Sequence, residues 1–362
     1  MFLLGLTAAI CFIPGTVGAA VPTQWALFSI VLPLGLWRAG VLSPAHFAGL
    51  AVLAWSAISL WWVPDRWDGL YGLWIAAIWA LSFWLGTTIT SPTRLWQGLA
   101  AGLYVSSFIA ILQHFGYNPV VQAGDAPAGL LFNSTLLGAC CALVLIALWT
   151  QRQWYWMPGL LPGLYLAHSR GAYLVLLLVV VARYSWKLSL LLLLVGAFFL
   201  TYWIGQTEGN SDALRLVIFG ATYRATNWLG NGIGSFNSFY VILNGSLLYP
   251  GRAHNDYLQL WFELGVGSIP ILAMYLLNLR DTRSDHWPIF LAFAILGLFY
   301  FPLWAPISAL VGCVTAGIMF ADRHQSWVLS AYRGQRGLPW AGLWQRIANQ
   351  LGRKPVPTIP ST

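Results

Sequence analysis

Residues 254–265, His-Asn-Asp-Tyr-Leu-Gln-Leu-Trp-Phe-Glu-Leu-Gly, stand where a long polar stretch gives way to an apolar run. Upstream, roughly 205–253, the chain is rich in polar residues and turns. Downstream, 261–279 is apolar over nearly the ~20 residues a helix needs to cross a bilayer. The same contrast decides the fold of the whole chain. Hydrophobic residues make up 59% of the sequence and charged residues 8%, against roughly half and a quarter in soluble domains. The expectation is an all-α polytopic membrane protein with one long extramembrane loop that contains short helices.

Apolar runs fall near 2–20, 24–40, 45–63, 69–89, 95–114, 129–150, 154–168, 171–184, 187–205, 261–279, 286–302 and 304–321. They give about twelve transmembrane helices, or ten to twelve, since the turns inside 154–184 and 286–321 are very short. The first run lacks a preceding basic segment and is broken by Pro14 and Gly15, and reads as a retained span. The 22 Trp and 15 Tyr suit many water–bilayer boundaries. Cys11, Cys140, Cys141 and Cys313 all lie in apolar runs, as small buried hydrophobes do, and their spacing suggests neither zinc nor a disulfide framework.

Charge sets the orientation. With a cytoplasmic N-terminus and twelve spans, thirteen of the 18 basic residues fall inside, as the positive-inside rule requires. Both termini are then cytoplasmic, and the loop at about 205–260 is periplasmic, in a bacterial inner membrane. The spans 1–321 form one domain, and 322–362 a basic, partly disordered cytoplasmic tail. Leu343, Trp344, Ile347 and Leu351 fall at helical spacing in that tail, which suits an amphipathic helix on the inner leaflet. The net charge of +8 is spread singly between apolar runs, which speaks against nucleic acid as a partner.

Arg66, Arg170, Arg215, Arg224 and Arg252 are the basic residues left outside, four of them between 170 and 252. Arginines against the topology signal suggest an anionic partner, because the planar guanidinium matches two phosphate oxygens at once. Arg170 opens an apolar run. Arg215 and Arg224 lie on an expected amphipathic surface helix with Leu214, Val217, Ile218 and Ala221 as its apolar stripe and Asp212 as a plausible cap. Nine residues apart, they point to different faces, so at most one of them faces a common site. Gly230, Gly232 and Gly234 form a glycine-rich turn whose N–H groups can meet an anion. His254 follows, with an ordinary pKa near 6.5 suited to taking a proton from a hydroxyl. Asp256, Glu263, Asn255 and Arg252 are its candidate supports. No phosphate-binding loop, zinc-protease motif or paired-acid metal motif is present, and neither a metal nor another cofactor is expected.

In this order, Ser169-Arg-Gly-Ala172, the arginine helix, Leu229-Gly-Asn-Gly-Ile-Gly-Ser-Phe236, His254-Asn-Asp-Tyr-Leu-Gln259 and Glu263-Leu-Gly265 resemble the motifs of the O-antigen ligase/polymerase superfamily. Gly129-Leu-Leu-Phe-Asn-Ser134 is similar to a degenerate form of its glycine–asparagine segment. The resemblance covers roughly 129–275. It implies a GT-C-like glycosyltransferase that takes a glycan from undecaprenyl diphosphate at the periplasmic face and passes it to an acceptor hydroxyl without a metal. It further implies that Arg170 and Arg215, or Arg224 in its place, hold the diphosphate, and that His254 is the base. Ligation to lipid A-core is the first expectation. Polymerisation of repeat units and transfer to protein share the same motifs. An anion or glycolipid transporter is less favoured, since it calls for ionisable groups inside several spans.

Overall fold

The computed structural model describes residues 1–10, 25, 26, 28, 29, 44–89, 91–119, 126–131, 133–185, 187, 188, 190–192, 194, 195, 211–243 and 245–334. Most of the expected spans at 24–40 and 187–205, and the expected tail helix at 343–351, lie outside these residues. The chain divides into Met1–Met319 and Phe320–Thr362. The protein is mostly helical. Among the described residues, Arg66–Thr88, Thr93–His114, Asp256–Arg280 and Pro306–Arg323 are long and apolar enough to cross a membrane. Shorter apolar helices lie at Gly49–Ser59, Ser134–Thr150 and Trp287–Phe299.

The first helices are α1 (Phe2–Ile10), α2 (Pro44–Ser59), α3 (Arg66–Thr88), α4 (Thr93–His114) and α5 (Ser134–Thr150). Asp65 caps α3 through the N–H groups of Trp67 and Asp68, and Asn133 caps α5 through those of Thr135 and Leu136. Each cap satisfies donors that a helix start otherwise leaves bare. Small residues let backbones meet closely where lipid offers no hydrophobic drive. Gly5 and Gly98 bring α1 against α4, and Gly163 leaves room for Ser107 and Cys141.

The run at 154–168, expected as a helical span, is built differently. It forms 3₁₀ turns at Trp154–Trp156 and Pro158–Leu160 and a six-residue helix, α6 (Leu161–Leu166). Pro158 and Pro162 remove backbone donors, and Gly159 and Gly163, each following a proline, weaken helix further, so a continuous α-helix is not available. Gln153 stands by Gln97 near the start of α4, while Gly159 packs on Tyr104 and Ser169 on Gly138. Ser169 then caps α7 (Arg170–Tyr184), accepting the Ala172 N–H at 3.4 Å.

The loop returns as α8 (Ser211–Ala225) and a short antiparallel hairpin, β1 (Val241–Leu243) with β2 (Ser246–Leu248). Hydrophobic periodicity did not suggest this hairpin. After it come α9 (Asp256–Leu264), a 3₁₀ turn at Gly265–Ser268 and α10 (Ile269–Arg280). Gly265, with φ +53°, separates the two helices, a conformation open to glycine at no steric cost. The last two helices are α11 (Trp287–Phe299) and α12 (Pro306–Gly334), joined through a turn at Pro302–Trp304. Gly86 of α3 packs on the backbone of α12 at Val314 and Gly317.

Candidate active site

Helix α9 carries a polar stripe inside an apolar segment. Asp256, Gln259 and Glu263, at i, i+3 and i+7, share one helix face, and all three are fully buried. Burying such groups is costly unless they are hydrogen-bonded. Gln259 accepts the Ala253 N–H at 3.0 Å and donates through Nε2 to Glu263 Oε1 at 3.0 Å. Glu263 Oε2 accepts the Gly234 N–H at 2.7 Å, and its carbonyl accepts the Gly232 N–H at 2.9 Å. The glycine-rich turn thus directs its N–H groups at the chain's own Glu263. Gly234 has φ +78°, and a Cβ on Gly72 of α3 would lie 2.6 Å from its nitrogen, so both positions require glycine.

Asp256 faces the other way along the same stripe, accepting the Leu303 N–H on Oδ2 at 2.9 Å. It therefore fixes the turn between α11 and α12. Asn255 caps α9 through the Leu258 N–H at 2.9 Å and donates to the Leu298 carbonyl at 3.2 Å. Tyr257 donates to the Ala294 carbonyl at 2.7 Å. These bonds seat the start of α9 on the end of α11.

Arg252 lies with its guanidinium carbon 4.9 Å from the centre of the Trp304 ring. It donates to Asn237 Oδ1 and, at 2.9 Å, to the Gly251 carbonyl. Burial pushes its pKa down, while Glu263 first, then Tyr71, Asp256 and Asp68, push it back up. Its charge is met by the chain's own acids, so its place is that of a buttress.

His254 adopts φ +55°, a left-handed backbone uncommon for a residue with a side chain. Its imidazole meets the Phe301 ring edge-on, with centroids 5.2 Å apart. Phe301 in turn stacks on Tyr300 at 4.1 Å. Burial, and then the positive charge of Arg215, lower the His254 pKa from 6.5 to about 4. Both favour the neutral imidazole, which is the form able to accept a proton. Asp256 does not orient this ring, since its hydrogen bond goes to Leu303.

Helix α8 docks on this assembly through Ile218, which joins Phe236, Ala253 and Phe262 in one buried cluster flanked by Leu214 and Phe239. Buried Thr222 continues the face, whereas Val217, expected in the apolar stripe, is exposed. Arg215 lies one turn before Ile218, on the packed side. Arg224 is exposed on the last turn. The side chain of Asp212 lies outside the described residues. The structure brings Arg215 within electrostatic reach of His254 and leaves Arg224 exposed. Arg170 is exposed at the first residue of α7. Its neighbour Ser169 packs on Gly138 of α5.

Sequence reading missed Gln259, Phe301 and Trp304. The spacing of Gln259 with Asp256 and Glu263 was a usable signal. Phe301 and Trp304 come from the turn between α11 and α12, far along the chain from His254 and Arg252, and no local pattern marks them. Compared with family models and with curated proteins, the sequence matches none.

Proposed function

We propose that the protein is a membrane glycosyltransferase of the O-antigen ligase type, with a GT-C-like arrangement of spans. It moves a glycan from undecaprenyl diphosphate to the hydroxyl of an acceptor, lipid A-core in the first instance, at the periplasmic face of the inner membrane. The observation that carries this reading is the half-buried His254, within electrostatic reach of Arg215, at the head of a helix long and apolar enough to cross a membrane. An acceptor hydroxyl approaching His254 gives its proton to the imidazole as its oxygen attacks the anomeric carbon. The bond from that carbon to the diphosphate oxygen breaks, and the diphosphate leaves with the electron pair. Configuration at the sugar inverts. Arg215 and Arg170 meet the charge that develops on the leaving group, the role of a preorganised electrostatic clamp.

A pKa near 4 makes a weak base. A bound diphosphate offsets the Arg215 charge, the smaller of the two causes, and so returns part of the imidazole's basicity. Purified protein is expected to transfer the glycan in EDTA, and Arg170→Ala to lose most of that activity with normal expression. In cells lacking the gene, core free of polymer supports ligation, and single-repeat core indicates polymerisation. Unchanged lipopolysaccharide with unglycosylated protein indicates transfer to protein.

A further inference from the structure

The hairpin beside the site exposes one apolar face. Ile242 and Leu247 are directly paired across the strands and are 66% and 59% exposed. Tyr240 and Tyr249, at the base of the same face, are 52% and 62% exposed, with ring centroids 6.0 Å apart. Phe108 and Leu276, on helices long and apolar enough to span, are 59% and 61% exposed. The hairpin is therefore as open as a side chain that faces lipid. Its other face is anchored: Val241 is buried, and Phe239 packs at 5.0 Å on Phe236 and 5.1 Å on Phe262.

We infer that this face lies on the bilayer, at the boundary between headgroups and hydrocarbon on the loop side. Three observations select lipid as the occupant. No charged residue occurs between Arg224 and Arg252, whereas a docking surface for a soluble protein carries a polar rim. The two tyrosines are the residue type that settles at a membrane boundary. The hairpin also leads directly into a helix long and apolar enough to span, since Arg252 closes its base on Asn237 and that helix begins at Asp256. A two-stranded ribbon has open edges, whose backbone groups need water, so the hairpin lies flat and shallow. The inference rests on the membrane character of the chain and not on the proposed chemistry. Its consequence is that His254 sits at the bilayer surface, within reach of a lipid headgroup.

The test uses the full chain in nanodiscs of phosphatidylethanolamine and phosphatidylglycerol. Single cysteines are introduced by Ile242→Cys, Leu247→Cys, Tyr249→Cys or Ser246→Cys in a Cys11→Ser background and carry an environment-sensitive fluorophore. Cys140, Cys141 and Cys313 are buried. Shallow doxyl-lipid is expected to quench the first three about twofold or more beyond Ser246→Cys, which lies on the opposite face. Equal quenching at all four positions would overturn the inference. So would a blue shift at 242 and 247 without doxyl quenching, which would mean that protein covers the face.

Discussion

The Glu263 carboxylate accepts the Gly234 N–H at 2.7 Å while its second oxygen accepts from Gln259 at 3.0 Å. The acid thereby joins α9 to the glycine turn and the turn to α3. Glu263→Gln leaves one amide oxygen to serve two donors. One buried donor then goes unmatched, at a cost of about 1–3 kcal/mol. Thermal unfolding of the purified protein is expected to show that loss, with Glu263→Ala lower still. Wild-type stability in both would remove the clamp from the account.

The His254 pKa, lowered to about 4 by burial and then by Arg215, sets the acid limb of activity. For the free enzyme, kcat/KM is expected to hold down to about pH 5 and fall below it, well under the ordinary histidine range. In the complex the diphosphate offsets Arg215, so the limb in kcat lies at higher pH than that in kcat/KM. Coincident limbs near pH 6.5 would contradict this reading.

The same shift makes stability depend on pH. The folded pKa lies below the unfolded value of 6.5, so the unfolded chain binds more protons between the two. The contribution is complete above pH 6.5 and lost as pH falls through about 4, for a total of about 3 kcal/mol. His254→Asn is expected to flatten this part of the stability profile. Melting curves of the two proteins against pH provide the check.

Arg215 and Arg224 separate cleanly by position. Arg215→Gln removes the cation beside His254, so kcat/KM is expected to fall about 10²- to 10³-fold, and its acid limb to move up. Arg224→Gln, on the exposed last turn, is expected to stay within about twofold of wild type, as surface changes do. Similar losses in both would mean that α8 presents a different face.

Arg252 stacks on Trp304 and lies within electrostatic reach of Glu263, Asp256 and Asp68. Arg252→Lys keeps the charge but loses the planar fork and weakens the stacking, costing about 1–2 kcal/mol. Arg252→Leu removes the charge together with the bonds to Asn237 and Gly251 and is expected to cost more than Arg252→Lys. A reversed order in melting temperature would rule out the electrostatic role.

Membrane character was readable directly, because apolar content is a bulk property of the chain. The separation of Arg215 from Arg224 was readable too, since helical period fixes relative direction without knowledge of neighbours. The segment 154–168 misled because hydropathy measures transfer to lipid and not helix formation, which Pro158 and Pro162 oppose. The hairpin had a local sign in Asn244-Gly245 between apolar runs, the strongest short-range hairpin signal. Its apolar strands read as loop only because the surrounding stretch is polar. Phe301 and Trp304 had no local sign, for they join His254 and Arg252 only when α11 and α12 fold back on α9. The glycine stretch was read as a turn whose N–H groups could meet an anion, and only the fold discloses that Glu263 is the group they bond.

The most direct measurement is glycan transfer from purified undecaprenyl-diphosphate glycan to lipid A-core by wild-type protein and by His254→Ala, each confirmed folded by its melting curve. The account predicts transfer by the wild type and a loss of about 10²-fold or more in His254→Ala. Wild-type turnover in His254→Ala would contradict it.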